Sequence, residues 1–588
     1  MTEETTNLSI GQKNREAAER LQQLSVRLMQ ALSRRKAPNP GIESPGADLY
    51  AKSAAAWWEQ VARSPARAMG HGLGFWEGST RAWMGALSPQ EDDSPEKAMK
   101  DKRFADPEWD SNPWFNYLRS QYKVSAEAMR AAVADLDTLP EADKRRLRYF
   151  TDQIANLMAP NNFLGSNPEA LRRAVETEGE SLLSGLENLV SDLEANDGAL
   201  LVKLVDETAF AVGDNIATTP GQVVLRTKMM ELIQYAPATD EVHAIPVVIF
   251  PPWINKFYIL DLKPQNSLIR WLVEQGYTVF VASWVNPDNT LKDAGLEDYI
   301  TDGFLAGIEA AKEITGQPHV NAVGYCIAGT TLSMTLSLLR QSGDASVNSA
   351  TLFTALTDFS DQGEFTPFLQ DDFVDGIEIE VGRAGLLPAR VMSRTMSFLR
   401  SNDLVYGPAI RSYMLGETPP AFDLLYWNGD STNLPGRMTM QYLRRLCQRN
   451  EFAEGRFELM GRTLSVADVR VPIMAVTAQT DHIAAWTDCY RGVQMMGSKD
   501  KTFVVSQSGH IAGIVNPPSK RKYGHYTNPD LLRPADDWLA DAEFHEGSWW
   551  PLWDEWLAPR SGGMVPARTV TSMDLGPAPG TYVKRKAG

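Results

Sequence analysis

A cysteine, an aspartate and a histidine follow one another along the chain in contexts that suit acyl transfer. Cys326 lies at the centre of the stretch Gly324-Tyr325-Cys326-Ile327-Ala328-Gly329, Asp481 follows an apolar run, and His510 follows a glycine after a second apolar run. A thiol nucleophile needs a base to accept its proton, and the base needs a third group that fixes its tautomer and orientation. The sequence therefore predicts nucleophilic catalysis by Cys326, with His510 as the base and Asp481 as its orienting acid.

The residues on either side of Cys326 predict a tight turn from a strand into a helix. Residues 319–323 form a short apolar run, and residues 330–340 have a helical pattern. Such a turn strains the backbone and needs small neighbours. The free amides and the dipole of a helix N-terminus favour an anion, so we expect a reactive thiolate. The alternative for this short motif alone is a buried structural cysteine.

The other histidines and cysteines fit the chemistry less well. His482 is the rival base, but it adjoins Asp481, and neighbouring side chains diverge. Structural or surface roles are predicted for the remaining histidines, which are His71, His243, His319, His525 and His545. Cys447 and Cys489 lack flanking glycines and are assigned to packing.

Acyl transfer also requires two backbone amides that point at the developing oxyanion. We expect one from Ile327, the residue after the nucleophile. The other is expected from the loop 251–256, where Trp253 and Ile254 remain alternatives.

Apolar runs rich in β-branched residues alternate with helical patterns after about residue 201. The runs are residues 246–250, 277–282, 319–323, 349–355 and 472–477. This alternation indicates a parallel sheet with helices on both faces. Together with the order cysteine, aspartate, histidine, it predicts an α/β-hydrolase fold with a mostly parallel central sheet.

Two regions are expected beside the catalytic core of residues 201–588. The long interval without a clear buried strand predicts a helical cap insertion at about residues 359–468. Residues 1–200 are predicted to form an α-helical region, and its first 95 residues or so are expected to be mobile. Within them, residues 13–36 form a leucine-striped helix that is expected to be mobile or to bind a partner, and residues 88–95 are a candidate linker.

The composition excludes several classes of protein. A net charge of −17 over 588 residues argues against affinity for nucleic acid. Three cysteines form neither a disulfide framework nor paired metal ligands, which is typical of a reducing compartment. Without a secretory signal or a membrane-spanning apolar run, the protein is expected to be cytoplasmic. Trp57, Trp58, Trp76 and Trp83 suggest contact with an apolar surface, and core packing is the alternative.

From about residue 210 to residue 556 the chain resembles the polyhydroxyalkanoate synthases, and most closely the single-subunit class I enzymes. The motifs that carry the resemblance are residues 251–262 (PPWINKFYILDL), 324–326 (GYC), 422–435 (FDLLYWNGDSTNLP), 481–483 (DHI), 509–513 (GHIAG), 516–518 (NPP) and 547–551 (GSWWP). Several long motifs in one order make the resemblance specific. Three residues depart from the family pattern: Ala328 replaces a glycine, Trp253 often a cysteine, and Ala485 usually a proline.

The resemblance implies polymerisation of short (R)-3-hydroxyacyl-CoA into polyester with release of CoA. Cys326 would carry the chain as a thioester, His510 would activate the thiol, and Asp481 would orient His510 or help activate the 3-hydroxyl of the monomer. Asp261 and Trp427, which lie within the shared motifs, and Trp486, which follows Ala485, are candidate substrate contacts. No metal or redox cofactor is implied, since CoA is the acyl carrier and the product.

The resemblance also implies partners. It predicts a homodimer that works in the cytoplasm at the surface of polyester granules, in contact with the growing polymer and with granule-coat proteins of the phasin type. The resemblance also implies that residues 1–200 aid dimerisation and granule contact. The basic run that includes Lys520 and Arg521 is a candidate contact for CoA phosphates, and a solvated surface is the alternative.

Two other functions are compatible with parts of the sequence. The same fold could serve an esterase or polymer depolymerase, although most such hydrolases use serine rather than cysteine. The chain could also be a non-catalytic granule scaffold, but a scaffold has no need of all three catalytic side chains.

Overall fold

A computed structural model describes residues 3–35, 47–87, 101–570 and 573–587, and these divide into two units. The first comprises Met1–Asp206 with Thr395–Pro420, and the second comprises Glu207–Arg394 with Ala421–Gly588. The boundary thus follows Asp206 rather than residue 200. Part of the predicted cap, Thr395–Pro420, is counted with the first unit.

The first unit is helical, as its sequence patterns predict. Its α-helices are Glu3–Ser33, Ala47–Arg63, Pro65–Leu87, Glu108–Ser111, Pro113–Ala134, Glu141–Leu157, Pro168–Glu176, Glu180–Ala195 and Gly407–Ala409, with π-helical turns at Asn402–Tyr406 and Ile410–Met414. The helix Ala389–Leu399 crosses the boundary between the two units. The predicted linker at 88–95 and the prolines that follow the first helix lie outside the described residues.

The first helix has a partner within its own unit. Arg27 donates two hydrogen bonds to Glu194 at 2.9 and 2.7 Å, and Leu24 is buried. Arg20 forms ion pairs with Glu180 and Glu187. Arg20 and Arg27 thus attach this helix to the helix Glu180–Ala195, while Leu21 and Leu32 of the leucine stripe are exposed, and binding of a partner stays a prediction.

Close packing explains why Thr395–Pro420 belongs with the first unit. The side-chain amide of Asn188 donates to the carbonyls of Ser412 and Glu417, both at 3.1 Å. Tyr413 donates its hydroxyl proton to Asp192 at 2.7 Å. Gly185 faces the backbone of Tyr413 so closely that a Cβ would clash. These contacts span more than two hundred positions of sequence, which is why local patterns did not indicate them.

The second unit contains a ten-stranded sheet, with three two-stranded sheets beside it. The strands are β1 (Gly221–Arg226), β2 (Met230–Tyr235), β3 (Glu241–His243), β4 (Val247–Phe250), β5 (Val279–Trp284), β6 (Val320–Tyr325), β7 (Val347–Phe353), β8 (Leu386–Leu387), β9 (Leu434–Pro435), β10 (Phe457–Leu459), β11 (Arg462–Leu464), β12 (Ile473–Ala478), β13 (Lys501–Ser506), β14 (His525–Thr527), β15 (Glu543–His545) and β16 (Met564–Pro566). The order in the large sheet is β1-β2-β5-β4-β6-β7-β12-β13-β14-β15.

The centre of the large sheet is parallel and buried. Strands β5, β4, β6, β7, β12 and β13 run parallel, whereas β1, β2, β14 and β15 pair antiparallel at the two edges. The predicted apolar runs coincide with β4, β5, β6, β7 and β12 to within two residues at each end. Continuous apolar runs mark strands that are covered on both faces.

Helices cover this sheet and fill the interval between β7 and β12. The α-helices of the second unit are Leu268–Glu274, Leu296–Tyr299, Ala306–Thr315, Ile327–Ser342, Asp371–Ala384, Asp423–Gly429, Gly436–Met440, Trp486–Met495, Ala535–Ala540 and Trp550–Leu557, with π-helices at Ile300–Leu305 and Gln441–Gln448. The interval contains helices and the short ladders β8–β9 and β10–β11. Among the described helices, none combines the length and the apolar character that crossing a bilayer requires.

The parallel strands bring four loops to one edge of the sheet. The loop 251–256 follows β4, Cys326 follows β6, Asp481 follows β12 and His510 follows β13. The carboxyl ends of parallel strands meet at the same edge, and ligands of open α/β sheets bind there.

Candidate active site

Cys326 stands in a strained turn between β6 and the helix Ile327–Ser342. Its backbone has φ 55° and ψ −127°, a conformation that residues other than glycine rarely adopt. The N–H of Cys326 donates to the carbonyl of Phe353 at 2.8 Å, and its own carbonyl accepts from Gly329 at 2.8 Å and Thr330 at 3.2 Å. These bonds hold the strained residue in place at the start of the helix.

Small neighbours make this turn possible. A Cβ on Gly324 would lie 2.6 Å from the Cα of Gly329, so strand and helix approach each other more closely than any side chain allows. Ala328 is fully buried beside them, and the turn forms with alanine at this position.

Gly324→Ala is expected to lower the free energy of unfolding by about 1–3 kcal/mol, because the added methyl group meets backbone rather than a flexible side chain. Denaturant titration would measure the loss. Gly382→Ala is the matched control, since a Cβ there meets nothing within 4 Å on the helix Asp371–Ala384. We expect this control to stabilise by up to about 1 kcal/mol. Equal stability of both variants would contradict the close approach at the turn.

Asp481 and His510 form a buried hydrogen-bonded pair. Nδ1 of His510 lies 2.6 Å from Oδ2 of Asp481, and both residues are buried. The other carboxylate oxygen, Oδ1, accepts from the backbone N–H groups of Ile483 at 2.8 Å and Ala484 at 3.0 Å. The carboxylate is therefore fixed on one side and orients the imidazole on the other, so Asp481 pairs with His510 as the sequence predicts.

His510 is also held through its own backbone. Tyr325, the residue before Cys326, donates its hydroxyl proton to the carbonyl of His510 at 2.8 Å. The preceding loop turns at Ser508, whose φ is 77°. Tyr325 is not among the site residues predicted from the sequence, and its position between Gly324 and Cys326 is the one signal that indicates it.

The charges around His510 favour its protonated form. Burial alone would lower the pKa of His510, but the negative charges of Asp481 and Cys326, and its hydrogen bonds to both side chains, raise it to about 10. The imidazole is therefore held in its charged form by the Asp481 carboxylate beside it.

Cys326 is the one partly exposed thiol of the three cysteines, all of which lie among the described residues. Cys447 and Cys489 are buried, and burial raises the pKa of both thiols above the usual value. The structure therefore supports packing roles for these two. The short motif left open that Cys326 is a buried structural cysteine, and its partial exposure argues against that alternative.

Two segments can supply the oxyanion donors. Ile327 directly follows Cys326 in the chain, and the loop 251–256 follows β4, which is the neighbour of β6 in the sheet. Among the residues that the structure describes, no acceptor takes the backbone N–H of Ile327, Trp253 or Ile254. The carbonyl of Ile254 accepts from the N–H of Thr432 at 3.1 Å, and the Thr432 hydroxyl bonds the carbonyl of Trp253. The loop is thus held through its carbonyls while its amides stay available, and the choice between Trp253 and Ile254 remains a prediction.

The Trp253 side chain packs in the core. Its ring stacks on Tyr299 with 4.2 Å between centroids and meets Trp284 edge-on at 5.4 Å. Trp284 in turn donates its indole N–H to the carbonyl of Pro251 at 2.7 Å. The departure at Trp253 therefore adds aromatic packing beneath the loop 251–256.

Two of the predicted substrate contacts are instead buried supports. The carboxylate of Asp261 accepts from the hydroxyls of Thr219 at 2.5 Å and Ser267 at 2.6 Å, and burial raises its pKa to about 6. The indole N–H of Trp427 donates to the carbonyl of Lys256 at 2.7 Å. Their polar atoms are already used within the protein, which corrects the assignment of Asp261 and Trp427 to a substrate surface.

Trp486 and the basic run lie near the loops that carry Asp481 and His510. Trp486 begins the helix Trp486–Met495, directly after Ala485, and packs near Trp538. Lys520 and Arg521 are exposed. The neighbouring Tyr523 has its pKa lowered by Lys522 and also by a hydrogen bond to Ser508, two residues before His510. The basic run therefore adjoins the histidine loop.

No cluster of three or more acidic, histidine or cysteine side chains that could hold a metal ion occurs in residues 3–35, 47–87, 101–570 and 573–587. The polar groups of the site are a thiol, an imidazole, a carboxylate and backbone amides. This set suits acyl transfer through a covalent thioester.

Comparison with known proteins agrees with this architecture. Residues 245–517 match the family described as alpha/beta hydrolase fold, which confirms the predicted fold class. Residues 100–272 match the family described as Poly-beta-hydroxybutyrate polymerase (PhaC) N-terminus. The second match extends from the helical unit into the catalytic unit.

Three curated proteins are similar along most of their length. The poly(3-hydroxyalkanoate) polymerase of Methylorubrum extorquens is 40% identical over 491 residues, which cover 83% of this chain and 81% of that protein. The poly(3-hydroxyalkanoate) polymerase subunit PhaC of Cupriavidus necator is 40% identical over 499 residues, or 83% and 84%. The subunit PhaC of Rhizobium meliloti is 36% identical over 534 residues, or 90% and 87%. With this similarity and the motifs in the order described, the chain belongs to the poly(3-hydroxyalkanoate) polymerase family.

Proposed function

We propose that the protein is an acyltransferase that polymerises short (R)-3-hydroxyacyl-CoA, such as 3-hydroxybutyryl-CoA, into polyester with release of CoA. One observation carries the proposal: the partly exposed Cys326 thiol stands in a strained turn, and it interacts electrostatically with the imidazole of the buried His510–Asp481 pair. A nucleophile, a base and an orienting acid brought together are the minimum for covalent acyl transfer.

Charging begins with attack of the Cys326 thiolate on the thioester carbonyl. The negative charge that develops on the carbonyl oxygen is stabilised by the N–H of Ile327 and by one amide from the loop 251–256. The bond to CoA sulfur then breaks, and the departing thiolate takes the proton from His510. One thioester replaces another, so this step is nearly balanced in free energy.

Elongation forms an ester bond. The 3-hydroxyl of an incoming acyl-CoA gives its proton to His510 and attacks the thioester carbonyl of the chain on Cys326. The chain passes to the incoming monomer, and a second transfer returns it to Cys326 with release of CoA. Asp481 orients His510 or helps to activate the hydroxyl. Exclusion of water favours transfer over hydrolysis, and the helical insertion between β7 and β12 suits that task.

The basic run beside the histidine loop is proposed to bind the phosphates of CoA. Replacing Lys520, Arg521 and Lys522 by glutamine is expected to raise KM for acyl-CoA by about three- to tenfold at low salt and to leave kcat unchanged, since exposed ion pairs contribute little each. Steady-state CoA release would measure both constants. A thioester that lacks the nucleotide phosphates should show no change.

Lys499→Gln provides the control. Lys499 is exposed and lies two residues before β13, at the end of the strand opposite to the end that His510 follows. An equal rise in KM for this variant, or for the phosphate-free thioester, would count against a phosphate site at the basic run.

One assay tests the proposed function against its alternatives. Purified protein is given 3-hydroxybutyryl-CoA, and free CoA, free acid and insoluble polyester are followed together. CoA and polyester in matched amounts support the polymerase, CoA with free acid alone supports an esterase or depolymerase, and no turnover supports a scaffold. The presence of cysteine where most hydrolases of this fold have serine favours the polymerase, because an acyl group is transferred to a hydroxyl more readily from a thioester than from an oxoester.

The same reaction also tests where the protein works. Trp58 is 66% exposed and Trp76 is 70% exposed in the helices of the first unit, so these rings are available to an apolar polymer surface. We propose that the protein acts as a homodimer at cytoplasmic granules, where phasin-type proteins are further partners. The polyester pellet is then expected to carry the protein, and protein left wholly in the supernatant would argue against granule contact.

A further inference from the structure

A buried lysine ends the loop 251–256, which carries the candidate oxyanion donors. The Lys256 side chain is 2% exposed, and its ammonium donates to the carbonyls of Val583 and Arg585, both at 2.7 Å. The ammonium also lies 3.0 Å from the carboxylate of Asp430. The ammonium thus donates two hydrogen bonds to backbone carbonyls and forms a buried ion pair with Asp430.

The two carbonyls belong to a segment that we call the brace, Thr581–Lys586. The brace is anchored on the sheet at its other end. The fully buried carboxylate of Glu231 in β2 accepts from the N–H of Thr581 at 2.8 Å and from the N–H of Tyr582 at 2.9 Å. Tyr582 also donates its hydroxyl proton to the carbonyl of Thr227 at 2.8 Å.

The same loop is held on a second side by residues of the insertion between β7 and β12. Trp427 donates to the carbonyl of Lys256, and the N–H of Thr432 donates to the carbonyl of Ile254. Asp430, between these two residues, is the carboxylate that contacts Lys256 and, at 3.2 Å, Lys586. The loop therefore lies between two segments that are distant from it in sequence, and Lys256 contacts both.

We propose that the brace is a positioning element for the oxyanion loop and that Lys256 is the residue through which it acts. This inference rests on the proposed function. An oxyanion donor stabilises the transition state only when it is held at hydrogen-bond distance from the developing charge. Lys256 itself touches no reacting atom, so its role is to keep the loop 251–256 in place.

Lys256→Met, which keeps the length of the side chain and removes its donors, tests the inference. We expect kcat for CoA release from 3-hydroxybutyryl-CoA to fall about tenfold or more while KM stays within about twofold, because misplacing a donor weakens the transition state alone. Alkylation of Cys326 by iodoacetamide should keep its rate, since the thiol–imidazole pair does not depend on the loop. Hydrogen exchange should become faster at residues 253–256 and in the brace.

Lys501→Met is the matched control. Like Lys256, Lys501 donates to backbone carbonyls, in this case those of Val493, Gln494 and Met496, but it starts β13 at the end of the strand opposite His510. A comparable loss of melting temperature with unchanged kcat is expected. Equal loss of kcat in both lysine variants, or a loss confined to KM in Lys256→Met, would overturn the positioning role.

Lys586→Met provides a variant with less effect on folding, because this side chain is 57% exposed while its ammonium contacts Asp430 and the ring of Tyr426. We expect a fall in kcat of about two- to threefold with unchanged KM, and faster exchange in the brace. An unchanged kcat together with faster exchange would overturn the inference. A wild-type protein that releases no CoA would instead overturn the proposed function, so the two failures are distinct.

Discussion

Cys326→Ala is expected to abolish both CoA release and polyester formation, with a loss of at least about 10⁴-fold, because no other group in the turn between β6 and the helix Ile327–Ser342 can form the acyl intermediate. The thiol is partly exposed at its turn, so the variant should fold like the wild type. Rapid measurement of CoA release, with circular dichroism as the check on folding, would test the expectation. Wild-type-like turnover would end the assignment of Cys326 as the nucleophile.

Two further variants sharpen this test. Cys326→Ser should fold and polymerise very slowly, since a hydroxyl is not ionised beside the imidazole as a thiol can be. Cys447→Ala is the matched control, because this buried thiol lies in the same unit on the π-helix Gln441–Gln448. It is expected to retain activity within a fewfold of the wild type. Rapid polymerisation by the serine variant would contradict the need for a thiol.

Asp481→Asn is expected to lower kcat/KM by about 10³- to 10⁴-fold, because an amide no longer holds the tautomer and the positive charge that His510 needs. The oxygen that accepts from Ile483 and Ala484 can remain in place, so the loss should arise at His510 and not in the loop. Steady-state kinetics and a melting curve would separate activity from stability. Activity close to the wild type would remove Asp481 from the mechanism.

The same variant should shift the pH dependence of the residual activity. The pKa of His510 is raised to about 10 chiefly by the charges of Asp481 and Cys326, which outweigh burial. Wild-type acylation, which needs the imidazolium as proton donor, should therefore fall only as the pH approaches 10. Without the Asp481 charge the pKa drops, and the alkaline fall should occur at lower pH. An alkaline limb at the same pH in both proteins would contradict this pairing.

Asp488→Asn is the control for this profile. Asp488 is a buried acid of the following helix, its pKa is raised to about 6 by burial, and it pairs with Arg491 rather than with His510. Removal of the Asp488 carboxylate should leave the alkaline limb of the pH–activity profile in place.

The pH dependence of the melting temperature is an independent check on the raised pKa of His510. A histidine whose pKa rises on folding stabilises the protein fully below about pH 6.5, its unfolded value, and this contribution is lost as the pH rises through about 10.

The central strands could be predicted from the sequence because each is a short apolar run. Strand β2 could not, since it contains Glu231 and Gln234 and is nevertheless wholly buried. Glu231 is stable there because Arg226 pairs with it and because Thr581 and Tyr582, some 350 positions away, donate to it. Burial of a charge depends on partners, and distant partners leave no local pattern.

Three features can be recognised in the sequence alone: the order cysteine, aspartate, histidine, the glycines of the turn at Cys326, and the alternation of strands and helices. These are properties of local residue types, or of an order that parallel strands convert into proximity. The folded chain is needed to show that Asp261 and Trp427 are hydrogen-bonded within the protein, and that Thr395–Pro420 belongs with the first unit. The contact of Lys256 with the brace is likewise visible only after folding. Each of these depends on hydrogen bonds between distant segments, whose geometry exists only once the chain has folded.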